Sequence, residues 1–180
     1  HPELSFDQAP PITVPYRFFL TAPWFGVAAG LLLAIYGTAA LTSRWAPETL
    51  AVVHLFTAGF MLQAMCGALL QFVPVAAGGN VVHPRRIAWL VHPLLLAGTL
   101  LLVGGFLSGQ SALLLSALPM FAIGGALFVF ALFGALQRIK VSNPTLIALK
   151  LALLALAVTL SLGILLASAL GNGWALPLLE

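Results

Sequence analysis

Two of the four histidines in this 180-residue chain lie inside long apolar stretches. The first is His54, in "VVHLFTAGFMLQAMCGALLQFVPVAAGG", which runs from Val52 to Gly79. Imidazole is the commonest metal ligand among side chains. In an apolar segment its nitrogens need partners, so His54 is either an iron or metal ligand or a hydrogen-bonding stitch to a neighbouring helix. The second is His92, followed at once by Pro93. A proline inside a helix frees the carbonyl four residues earlier, here that of Trp89, and a local role for His92 at that disturbance is the expectation. His83 sits beside Pro84, Arg85 and Arg86 in a polar break, and His1 lies in a terminal tail. Soft donors are few: Met61, Met65 and Cys66 share the stretch with His54, and the four-residue spacing of the methionines is equally that of helix packing. Arg44 and Trp45 precede this stretch and read either as partners for haem propionates or as an interfacial anchor.

Other chemistries are excluded. The single cysteine permits no intramolecular disulfide and no paired-cysteine metal motif. Asp7 is the only aspartate, so Ser, His and Asp cannot converge in the apolar region, and no pair of carboxylates lies there. The Gly-Gly pairs fall in loops or within apolar helices, where Gly124 and Gly125 are expected to let helices approach closely. Gln63, Gln71, Thr57, Thr99, Thr159 and Ser161 are expected to form interhelical hydrogen bonds.

Composition sets the solvent in which these residues stand. Only 6% of residues are charged, 62% are hydrophobic and the mean hydropathy is +1.12. A soluble domain carries about 25% charged residues, so this chain cannot cover itself with polar surface and reads as an integral membrane protein whose partner is the lipid bilayer. The net charge of +3 arises from very few side chains and forms no basic run, so nucleic acid is not an expected partner. After a polar, proline-rich tail (residues 1–14), five stretches are long enough to span a bilayer core at about 20 residues each. They cover residues 17–41, 50–77, 87–107, 112–136 and 146–170. Backbone groups in hydrocarbon must be satisfied within the segment, so the expected fold is all-α, a polytopic bundle of five antiparallel helices over residues 15–171. Residues 172–180 are expected to form its outer-face end or to run on into further helices, since a chain that begins at His1 and not Met is either processed or a portion of a longer product.

Arg17, Arg85, Arg86, Arg138 and Lys140 fall on the N-terminal side of such a bundle, with Lys150 near enough to snorkel there, and Arg44 alone falls on the other. The positive-inside rule then predicts a cytoplasmic N-terminus. His54 comes out about 6–10 Å below the outer interface, from a rise of about 1.5 Å per residue. His92 belongs to the cytoplasmic half, displaced from His54 by on the order of 10 Å in a core about 30 Å thick. The two are therefore not expected to share one haem iron.

The order H-x4-GF-x6-G-A-L-L-x-x-VP-x3-G, from His54 through Gly59, Phe60, Gly67, Val73 and Pro74 to Gly78, resembles the first histidine-bearing helix of the NnrS family. These are bacterial inner-membrane proteins associated with haem and copper and linked to nitric oxide stress. It is also similar to the second helix of the haem-copper oxidase superfamily, nearest to the nitric oxide reductase large subunit. "PYRFFLTAPWFGVAAGLLLAIYG" resembles the preceding helix of NnrS, and the resemblance covers about the first 80 residues. It implies His54 as an axial ligand of haem b in a redox or nitric-oxide-handling protein of the inner membrane. The family's copper centre needs three later imidazoles, and this chain has none after His92. Copper is therefore possible only with residues outside the chain, and the second axial ligand is expected from further C-terminal helices, another subunit or a homodimer mate. The competing expectation is a membrane scaffold or assembly subunit in which His54 is structural.

Overall fold

A computed structural model describes residues 9–139 and 143–174, and among these the chain is helical with no strand. Among the described residues, five helices are long and apolar enough to cross a membrane. We label them α1 (Thr13–Tyr36, continued as a 3-10 helix over Gly37–Leu41), α2 (Pro47–Ala77), α3 (Pro84–Ser108), α4 (Ser111–Gln137) and α5 (Pro144–Asn172). Each begins one to four residues before the span read from the sequence. The expected tail is accordingly too long: Thr13 and Val14 are helical, and Val14 is buried in the core. The turn closes there because the Val14 amide donates to the Pro11 carbonyl at 2.8 Å. Most of the remaining tail, residues 1–8, and the last segment, residues 175–180, lie outside the described residues.

Local chemistry sets these boundaries. Pro47, Pro84 and Pro144 occupy first-turn positions, where the missing N–H costs nothing. The Asn143 side chain accepts from the Leu146 amide at 2.7 Å and caps α5. At the other ends, Gly78, Gly109 and Gly173 adopt left-handed φ of 71°, 66° and 66° and stop α2, α3 and α5. At the turn into α5, Lys150 reaches back so that its Nζ donates to Gln137 Oε1 at 3.3 Å, the behaviour of a long cationic side chain near a bundle end.

Small residues let the helices approach. In lipid no hydrophobic force drives helices together, so close van der Waals packing must do so. A Cβ on Gly59 would stand 2.5 Å from Phe25 of α1, and one on Gly67 would stand 3.0 Å from Phe18. Gly98 receives Met120 and Phe121 of α4, and Gly105 receives Leu114. The expected pair Gly124–Gly125 splits its task, since Gly124 faces Leu94 of α3 and Gly125 faces Leu160 of α5. Helices α3 and α4 form the most extensive contact, α1 lies along α2, and α5 packs chiefly along α4. A cleft is thereby left between α2 and α5, floored by α3 and α4.

Candidate functional site

The helix carrying His54 changes its hydrogen-bonding pattern immediately after it. Residues Pro47–His54 are α-helical, Leu55–Met61 form a π-helix, and α-helix resumes at Leu62. Such wide turns are rare and concentrate at functional sites. The packing shows what they do here. The buried positions Ala51, Leu55, Gly59 and Gln63 step by four residues three times in succession. An α-helix at 3.6 residues per turn would carry that series about 40° further round at every step. The wider turn holds it on the bundle side, while His54, Thr57, Met61 and Met65 face the cleft.

The His54 side chain is oriented by its own helix. Nδ1 lies 2.7 Å from the Leu50 carbonyl oxygen. A carbonyl can only accept, so Nδ1 carries the proton and donates. Nε2 is then the nitrogen with the free lone pair, and it has no hydrogen-bond partner among the described residues. The ring packs against Phe106 of α3, with centroids 5.2 Å apart and planes inclined at 42°. It forms one wall of a cavity of about 330 Å³ within the cleft. Leu102 and Phe121 form the floor, and Leu160 and Gly163 of α5 stand opposite. This volume is at the lower end of the range for small-molecule sites, about 300–1,000 Å³. The cleft is open at its side, since Met61, Met65 and Thr57 are exposed, as are Thr159 and Gly163 across from them.

His92 is placed elsewhere and does something else. Its Nε2 lies 2.9 Å from Thr21 Oγ1 on α1, and its ring meets Phe18 edge-on at 5.2 Å. The same Thr21 hydroxyl reaches the carbonyls of Arg17 and Phe18 at 3.2 and 3.3 Å. His92 is thus a stitch between α1 and α3, and the expected role at the Trp89 carbonyl is corrected: the partner is a side chain on another helix. Beside it, the Arg17 guanidinium covers the Trp89 ring at 4.5 Å. His54 is level with Phe106, which lies fourteen residues beyond His92 on α3. At about 1.5 Å per residue the two imidazoles stand about 21 Å apart along the bundle. That is about twice the displacement expected from the sequence, and it rules out a shared iron more firmly.

The remaining candidates separate cleanly. Arg44 is exposed in the α1–α2 loop and stacks on Trp45 at 5.3 Å, away from the residues that line the cavity. Met61 and Met65 line the same cavity as His54, whereas Cys66 is fully buried on another face of α2. His83 is exposed in the α2–α3 loop with φ of 51°. No group of three or more His, Cys, Asp or Glu that could hold a metal ion occurs among the described residues. The expected interhelical hydrogen bonds of Thr57, Thr99 and Ser161 are also corrected, because each hydroxyl donates to the carbonyl four residues back in its own helix. The Gln63 side chain has no hydrogen-bond partner among the described residues. That Thr159 and Gly163 of α5 form the far wall is not legible in a hydropathy pattern, which does not say which helix faces which.

No family model, curated protein or solved structure matches the chain. The functional reading therefore rests on the geometry around His54 and on the residue pattern in which it stands.

Proposed function

We propose that this chain is a haem-binding membrane protein of the redox or nitric-oxide-handling kind, with His54 as an axial ligand to haem b and a relationship to the NnrS and haem-copper oxidase proteins. One observation carries the reading: His54 spends Nδ1 on a carbonyl of its own helix and presents Nε2, unpartnered, at the wall of an apolar cleft. Metal-ligating histidines are held in just this way, with the second nitrogen donating to a carbonyl or carboxylate that fixes tautomer and ring orientation. The competing reading is a scaffold or assembly subunit in which His54 is a structural hydrogen-bonding residue; its one bond runs to the Leu50 carbonyl of its own helix, and the bond between helices is made by His92.

The residues fit the group in part. The walls are apolar and one imidazole is available, but a cavity of about 330 Å³ is smaller than a haem, whose macrocycle would extend out through the open side of the cleft. The thioethers of Met61 and Met65 are on the same helix as His54 and so on the same wall. They could not supply a ligand from the facing side, and a second ligand would have to come from a further segment, a partner subunit or a second copy. Bound there, haem b would supply an iron that can change oxidation state and bind a diatomic gas. The chain's own residues do the rest: Leu50 fixes the imidazole, the π-turn aims it into the cleft, and the leucines and Phe121 exclude water. Arg44 does not line the cavity and could partner a propionate only by leaving the Trp45 ring and reaching towards the cleft. Its present stacking on Trp45 is worth only about 0.5–1 kcal/mol at an exposed site, so an ionic partner would displace it at small cost.

The basic residues favour a cytoplasmic N-terminus and this cleft at the outer side of the membrane, which for a relative of the NnrS proteins would be the bacterial inner membrane. Titrating hemin into purified protein tests the reading. A Soret band that saturates, and that is absent for His54→Ala, supports it. Colourless protein that never takes up hemin returns His54 to a structural role.

A further inference from the structure

Two amides on one ridge of α2 lack partners. Gln63 is fully buried, and neither its Oε1 nor its Nε2 has a hydrogen-bond partner; Gln71 Oε1 is also buried and unpartnered. Steps of four residues connect Gly59, Gln63, Gly67 and Gln71, so all four lie on one helical ridge. The glycines show where that ridge points, since Gly59 abuts Phe25 and Gly67 abuts Phe18, both on α1. Gln63 is midway between them and therefore opposite Ala22, a small buried residue between the two phenylalanines. The seam is thus close-packed at its two glycine contacts and lined by a small side chain where the amide stands. Thr99 of α3, also fully buried, is at the same depth by register: Gln63 is nine residues below His54, and Thr99 is seven below Phe106. Its hydroxyl donates to Leu95, which leaves its oxygen free to accept.

Buried polar groups in folded proteins are nearly always satisfied, and an orphan signals an internal water or ion. An uncharged amide is a poor host for a bare ion, and an apolar ligand would leave it unsatisfied. Water supplies both a donor and an acceptor, and sites with two to four polar partners hold it. We propose that the seam between α1 and α2 holds internal water on the Gln63 amide, with Thr99 as a further acceptor and Gln71 marking the same seam towards the bundle end where α1 begins. This site is separate from the cleft at His54 and stands whether or not haem binds there.

Radiolytic hydroxyl-radical labelling of the whole protein in lipid nanodiscs tests this, because radicals form from bound water in place. The reporter is Cys66, fully buried and one turn from Gln63 on α2. The expected result is clear oxidation of Cys66 in the parent despite its burial, falling several-fold in Gln63→Met, which keeps the side-chain length and removes the amide. Protection of Cys66 in the parent, equal to that of a dry core, overturns the proposal, as does equal labelling in the variant. Thermal unfolding gives a second reading. A dry amide would be a liability, so a clear rise in Tm for Gln63→Met contradicts the hydrated site, and an unchanged Tm agrees with it. Should the variant fail to fold, labelling of the parent decides alone.

Discussion

Replacing Gly59 with alanine adds one methyl group at a tight helix contact beside the candidate site. That Cβ would sit 2.5, 2.6 and 2.7 Å from Cγ, Cδ1 and Cβ of Phe25. Carbon atoms pack at about 3.5–4.0 Å, so about 1 Å must be found. Turning the Phe25 ring cannot supply it all, because its Cβ is among the clashing atoms and the side chain is buried. Overpacking of this kind costs about 1–3 kcal/mol, and the rigid neighbour puts Gly59 in the upper half of that range. Alanine recovers about 1 kcal/mol of helix propensity over glycine. The net expectation is a loss of about 1–2 kcal/mol, close to a tenfold fall in the folded-to-unfolded ratio at about 1.4 kcal/mol per decade. Gly30 is the control: it lies in α1, and an added Cβ meets nothing within 4 Å. Gly30→Ala should therefore stabilise by about 0.5–1 kcal/mol. Reversible unfolding in mixed micelles, followed by circular dichroism, reads both. The two variants should move the midpoint in opposite directions, and Phe25→Leu should partly rescue Gly59→Ala. If Gly59→Ala shifts the midpoint the same way as Gly30→Ala, the packing of α1 on α2 described above is wrong.

Three further outcomes are expected. His92→Phe and Thr21→Val should each destabilise the bundle by about 0.6 kcal/mol, the mean for interhelical hydrogen bonds in membranes, and the double variant should cost less than their sum while leaving any haem spectrum unchanged; independent, additive losses would deny the bond. With Cys66 replaced by alanine, a cysteine at position 44 should react with an impermeant maleimide from outside intact cells, and one at position 85 only after the inner face is exposed; the opposite pattern inverts the topology. Asn143→Ala should lower stability by about 1 kcal/mol through loss of the α5 cap, and Asn143→Asp should retain most of it; equal losses for the two would show that the side-chain cap contributes nothing.

The five helices were readable because hydropathy over about 20 residues and the breaks at Pro47, Pro84 and Pro144 are local signals. Partnerships between helices were not. Thr21 and His92 are seventy-one positions apart, and no periodicity connects them, so a local role for His92 was the natural but incorrect expectation. The π-helix was hidden for another reason: Leu55–Met61 contains no residue foreign to an α-helix. Its trace is the repeated four-residue step of buried positions, visible only once burial is known. Gln63 shows the same limit, since a buried glutamine reads as an interhelical bond until its amide proves to have no protein partner among the described residues.

The central claim is that Nε2 of His54 is a haem ligand. The most direct measurement is the absorption spectrum of parent and His54→Ala, purified alike from the longest natural gene product and titrated with hemin. The account predicts a saturable Soret band for the parent and its loss in the variant, with helical content unchanged because alanine is no harder to insert than histidine. A variant that keeps the parent's six-coordinate spectrum, or a parent that never binds hemin, contradicts it.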